Sequence, residues 1–160
     1  MSIEDRRVRL MFLCTGNSCR SQMAEGWARH LHADIVDVCS AGTEPQGVNE
    51  LAIEVMGEVG IDLARHTSKG VEACEPESLD VVITVCGHAN ENCPVFLRSS
   101  ERTRVLHHGF DDPPALAAGA ASKEEAVGHY RRVRDEIKCF VETLPGLIEE
   151  LNLRTGAQRS

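Results

Sequence analysis

Two aliphatic runs, Val8–Leu13 (VRLMFL) and Leu79–Val85 (LDVVITV), most limit what this chain can fold into. Neither alternates polar with apolar residues, so a strand built from either has no face to give to water. Strands of that kind belong in parallel sheets covered on both sides. Helical patterns lie between them. Ser21–Leu31 places Met23, Trp27 and Leu31 on one face, and Ile35–Ala41 follows as a strand closed by Gly42. Asn49 caps a helix running to about Val59, and Gly60 stops it. Arg104–Phe110 reads as a weaker strand. Ser122 caps a last helix in which Val127, Tyr130, Val133, Ile137, Phe140 and Val141 recur at helical spacing. Pro145 breaks that helix before a final turn over Leu147–Leu151. Strands alternating with helices predict an α/β domain whose sites lie beyond the carboxyl ends of the strands.

The 160 residues suffice for one domain, expected over 1–152, with 153–160 as a flexible tail. Hydrophobic residues make up 42% and charged residues 26%, as in soluble globular chains. Val8–Leu13 is far too short to span a bilayer, and the first residues lack the apolar stretch of a signal peptide. The expectation is a cytoplasmic monomer with no membrane partner. A net charge of −8, with no basic run longer than two residues, argues against nucleic acid. It leaves room for one local anion site. Seven cysteines, an odd number without an export signal, read as reduced thiols.

The first strand ends in Cys14-Thr15-Gly16-Asn17-Ser18-Cys19-Arg20-Ser21. Small and turn-forming residues let successive N–H groups point inward, and the next helix adds its positive end. A tetrahedral oxyanion fits that bowl, and Arg20 can hold two of its oxygens with a planar fork. The same field favours a thiolate nucleophile at Cys14, with Ser21 as a further donor. Cys19, within the anion-binding loop Thr15–Ser21, reads as structural or side-on rather than catalytic.

The third strand ends in Cys86-Gly-His-Ala-Asn-Glu-Asn-Cys93-Pro94. On a helix, seven positions separate two residues by roughly 10 Å along the axis. A disulfide needs Cα atoms within about 7 Å. A Cys86–Cys93 bond therefore requires the segment to unwind, which Gly87, Asn90 and Asn92 make less costly. Inert core thiols and a zinc site with His88 are the competing readings. The spacing matches no common zinc motif.

The stretch from Phe12 to Trp27 resembles the active-site loop of thioredoxin-coupled arsenate reductases, enzymes with the fold of low-molecular-weight protein tyrosine phosphatases. Ser40-Ala-Gly42, Gly60-Ile-Asp62, His66-Thr-Ser68, Val81 to Pro94, Gly109-Phe-Asp-Asp-Pro113 and Arg132 to Ile137 match in order. The resemblance implies a three-layer α/β/α domain around a four-stranded parallel sheet. It also implies a reaction sequence. Cys14 attacks arsenate, Cys86 attacks Cys14 with release of arsenite, and Cys93 then forms Cys86–Cys93 for reduction by thioredoxin. Phosphate is the competing anion, and no bound cofactor is expected.

The aspartate before proline in such proteins acts as general acid, which points to Asp112, with Asp111 the nearest competitor. On its own, Asp-Pro would read as a turn or cap. Pro114 replaces the aromatic residue that phosphatases place there against a tyrosyl ring. Some relatives bind potassium beside the loop. Asn17, Glu25 and Ser40 match that set, but Lys69 stands at the acidic position. Its ammonium can take the cation's place, so no metal is expected. Cys39, Cys74 and Cys139 match no redox motif and read as structural. The rival functions are a phosphatase of the low-molecular-weight type, indifferent to loss of Cys86 or Cys93, and a non-catalytic oxyanion-binding or redox-sensing protein.

Overall fold

The computed structural model describes residues 7–87, 93, 97, 100–151 and 153. The expectations for the stretch between Cys86 and Cys93, and for the tail from 154, fall outside them. Four strands, β1 (Val8–Cys14), β2 (Val36–Gly42), β3 (Val81–Thr84) and β4 (Arg104–His107), form a parallel sheet in the order β2-β1-β3-β4. Phe12 of β1 lies between Ser40 of β2 and Ile83 of β3. Helices α1 (Arg20–His32), α2 (Glu50–Gly57), α3 (Pro113–Ala118), α4 (Lys123–Glu142) and α5 (Leu144–Glu150) connect or follow the strands. Two 3₁₀ turns, Val71–Cys74 and Pro76–Ser78, precede β3.

The lack of alternation in β1 and β3 has the expected consequence. Leu10 to Leu13 and Val81 to Thr84 are all buried, so layers cover both faces of the central strands. Truncating Phe12 or Leu13 there would cost about 3–5 kcal/mol. Helix α1 packs on β1 and β2, and α4 packs on α1, α2 and α3. Trp27 Nε1–H donates to the Arg134 carbonyl at 3.1 Å, fixing α1 against α4. The strand order reverses between β1 and β3, because β2 lies to one side of β1 and β3 to the other. Such a reversal opens a crevice at the carboxyl ends of the two central strands.

Several boundaries differ from the sequence reading. Strand β3 starts after Asp80, whose carboxylate accepts from the Arg9 N–H at 2.8 Å and closes the strand's polar end. Strand β4 stops at His107, though His108 N–H still bonds Thr84 O and Phe110 N–H bonds Val85 O. The Asp-Pro-Pro stretch opens helix α3, because proline at the first helical position loses no hydrogen bond. Pro145 sits likewise in the first turn of α5. Asn49 caps α2 as expected, its Oδ1 accepting from Leu51 and Ala52 N–H. Gly60 follows at φ +82°.

The expectation of reduced thiols throughout fails at one pair. Cys39 and Cys74 form a disulfide with Cα atoms 6.0 Å apart. They stand 35 positions apart, so no local pattern reveals the pairing. Cys14, Cys19, Cys86, Cys93 and Cys139 are thiols. Among the described residues, no helix is long and apolar enough to cross a membrane.

Candidate active site

The chain leaves β1 at Cys14 and enters α1 at Arg20, and a neighbouring segment sets the shape of the five residues between. The carbonyls of Cys14, Thr15, Gly16 and Ser18 accept from Thr43, Glu44, Gln46 and Asn49 N–H, at 2.8–3.1 Å. A trans peptide points its N–H opposite to its C=O. With the carbonyls bonded to residues 43–49, the N–H groups of the same peptides, those of Thr15, Gly16, Asn17 and Cys19, are turned to the opposite side. Two backbone features make this possible. Asn17 adopts φ +47°, and Gly42 lies so close that a Cβ there would stand 2.6 Å from Thr15 O and 2.7 Å from Asn17 N.

Hydrogen-bond direction at the Asn17 amide is determined. Lys69 N–H can only donate, and it binds Asn17 Oδ1 at 2.9 Å. Asn17 Nδ2 therefore donates to Ser21 Oγ at 2.9 Å and to Ser40 Oγ at 3.0 Å. Ser21 Oγ also lies 2.8 Å from Cys14 Sγ, and it is the donor in that bond whenever Cys14 is a thiolate. Ser40 directs its proton at Glu25 Oε1, 2.6 Å away. Asn17, Ser21 and Ser40 are fully buried, so each of these bonds is costly to lose, about 1–3 kcal/mol if a partner is removed.

Buried Glu25 has two cations and an imidazole around it. Arg29 Nε lies at 3.0 Å, His66 Nδ1 at 3.5 Å and Lys69 Nζ at 3.7 Å. Burial is the largest influence on His66 and lowers its pKa, against the pull of Glu25. Gln22 supports the loop from below, donating toward the Asn17 and Thr67 carbonyls at 3.1 Å. Among the described residues, no cluster of His, Cys, Asp and Glu is arranged to hold a metal ion.

The three turns named from sequence meet here. Thr15 Oγ1 lies 3.4 Å from Cys86 Sγ, so the thiol after β3 reaches the loop after β1. Cys86 and Cys93 are both buried. From the third turn, Phe110 O accepts from Arg20 Nη1 at 3.0 Å, and Asp112 Oδ1 lies 3.6 Å from Arg20 Nη2. Asp112 occupies the N-cap position of α3, yet its side chain makes no capping bond. Asp111 is engaged elsewhere, 2.9 Å from Arg132. Burial pushes the Cys19 thiol far up, so it stays protonated beside Cys14 and Arg20.

Sequence reasoning treated Tyr130 as one apolar position of α4. Its hydroxyl instead meets the Asn49 side chain, and the Asn49 N–H holds Ser18 O. It treated α1 as one-sided, whereas Ser21 to Ala28 are all buried. A glutamine and a glutamate in the first turns after a strand–loop junction were the available signal.

Residues 9–154 match the family described as low molecular weight phosphotyrosine protein phosphatase. An arsenate reductase of Halalkalibacterium halodurans is 49% identical over 138 residues, which is 84% of this chain and 95% of that protein. A solved arsenate reductase in its phosphate-binding state is 35% identical, covering 88% of this chain and 98% of its own, with a TM-score of 0.71. The YwlE arginine phosphatase of Geobacillus stearothermophilus is 25% identical, covering 91% and 96%, with a TM-score of 0.70.

Proposed function

The chain belongs to the low molecular weight phosphotyrosine protein phosphatase family, and from that premise we propose that it is an arsenate reductase using Cys14, Cys86 and Cys93 in turn. The carrying observation is the approach of Cys86 Sγ to within 3.4 Å of Thr15 Oγ1, which brings a second thiol to the loop that begins at Cys14. Simple ester hydrolysis has no use for it.

Arsenate enters the bowl, where the loop N–H groups and the Arg20 guanidinium take its oxygens. The Ser21 hydroxyl supports the Cys14 thiolate. Cys14 Sγ bonds to arsenic, and an oxygen leaves as water with a proton from Asp112, poised opposite Arg20. Cys86 thiolate then attacks Cys14 Sγ. The S–As bond breaks, its electron pair stays with arsenic, and As(V) departs as arsenite while two thiols become a Cys14–Cys86 disulfide. Cys93 attacks Cys86, frees Cys14 and leaves a Cys86–Cys93 disulfide for an external dithiol of the thioredoxin type. Lys69 Nζ, 3.7 Å from Glu25, supplies the positive charge that this buried carboxylate needs, so no metal ion is required.

The test is NADPH oxidation with thioredoxin and thioredoxin reductase on addition of arsenate, for wild type beside Cys93→Ser. The relay predicts sustained turnover for wild type and a stop after about one equivalent for the variant. No response of wild type to arsenate would defeat the reductase reading. It would leave phosphate monoester hydrolysis, which needs only Cys14, Arg20 and Asp112.

A further inference from the structure

The Cys39–Cys74 bridge shares no atom with the relay, yet it is anchored directly behind the anion loop. Cys39 lies in β2, an edge strand, one residue before Ser40. Both bridge sulfurs face the Ser40 carbonyl, at 3.8 Å and 3.5 Å. Cys74 ends the 3₁₀ turn Val71–Cys74, and the residues just before that turn form the outer support of the loop. Ser68 Oγ donates to Gly16 O at 2.9 Å, Lys69 N–H donates to Asn17 Oδ1 at 2.9 Å, and Thr67 O receives Gln22. Gly42 N–H holds Lys69 O at 2.8 Å. The segment 67–70 is thus tied to β2 by that bond and, through a short stiff turn, by the disulfide.

We propose that Cys39–Cys74 is a second, reversible redox site that sets how firmly the anion loop is held. Closed, the bridge keeps residues 67–70 against β2 and the loop binds anions tightly. Open, those residues are held by hydrogen bonds alone and the anion is bound more weakly. A dithiol opens it. One thiolate attacks Cys39, the half-buried sulfur, and Cys74 leaves as a thiolate and takes a proton. The second thiol then attacks the mixed disulfide and releases Cys39, so the dithiol becomes a disulfide and the protein gains two thiols. A small-molecule disulfide closes the bridge by the reverse exchange. The proposal rests on the anion-site reading above and adds a control to it.

The experiment uses a Cys86→Ser/Cys93→Ser protein, in which the relay cannot run. Phosphate binding is measured by calorimetry after treatment with a small disulfide, and again after a dithiol. Peptide mass mapping verifies the bridge each time. The expected result is a bridge that closes and opens in the native protein, with phosphate bound roughly fivefold to tenfold more tightly when it is closed. A Cys39→Ser version of the same protein should bind at the weak level in both buffers. Equal affinities across a verified change of bridge state would overturn the proposal, as would a bridge the dithiol cannot open. Absence of phosphate binding in both states would instead bring down the anion-site reading beneath it.

Discussion

The loop after β1 and the loop after β4 each bring a side chain to the same crevice, and they hold it in opposite ways. Around Cys14 the carbonyls are anchored to 43–49, Asn17 is bonded at both ends of its amide, and Ser21 and Ser40 are fully buried. Around Asp112 there is one ion pair, with Arg20 at 3.6 Å, and the carboxylate is 45% exposed. The difference fits the tasks proposed for them. Oriented donors stabilise an oxyanion only if they are already in place, because reorganising them would consume the gain. A group that passes protons gains from contact with water, and its cost of misplacement is smaller.

The comparison can be broken most sharply at the nucleophile. Cys14→Ser should lower arsenate reduction and aryl phosphate hydrolysis at least about 10⁴-fold, since loss of a nucleophile disables the whole constellation. Arg20→Lys should lower kcat/KM for either substrate by about 10²–10³-fold, with KM raised. An ammonium replaces the planar fork and loses the Phe110 and Asp112 contacts. Asp112→Asn should slow aryl phosphate hydrolysis by about 10²-fold. Asp111→Asn, whose carboxylate faces Arg132, should change it less than about threefold. Steady-state kinetics check all four, and a larger loss at Asp111 than at Asp112 would reverse the assignment.

The smallest effect sharpens the comparison from the rigid side. Burial lowers the His66 pKa below its ordinary 6.5. As pH falls through 6.5 the unfolded chain takes up that proton first, so stability rises with pH across this window and declines below it. His66→Gln should flatten the slope of Tm between pH 5.5 and 7.5 by about 2 °C. An unchanged slope would mean that His66 does not sense burial beside Glu25.

The parts of the molecule legible in the sequence are those written in neighbouring residues. The all-aliphatic β1 and β3 announced a covered parallel sheet, and Cys-x5-Arg-Ser announced a tight loop between a strand and a helix. Asp112 was singled out only through the proline after it, and the structure separates the two aspartates by placing Asp112 against Arg20 and Asp111 against Arg132. What stayed hidden depends on distant contacts. The Cys39–Cys74 pairing spans 35 positions and leaves no local trace. Gln22 looks like the solvent side of an amphipathic helix, and only the loop and the 67–69 segment packed over it make it an interior residue. Tyr130 falls on the apolar repeat of α4, which conceals that its hydroxyl meets the side chain of Asn49, the residue whose backbone N–H holds Ser18 O.

The central claim is that Cys14 and Cys86 act on one arsenate in succession. It is tested most directly by a single turnover. Fully reduced Cys93→Ser protein receives about one equivalent of arsenate without any external reductant, and arsenite and cysteine pairing are read by mass spectrometry. The account predicts about one arsenite per protein, with Cys14 and Cys86 joined to each other. Arsenite released while Cys86 remains open to alkylation, or no arsenite at all, would contradict it.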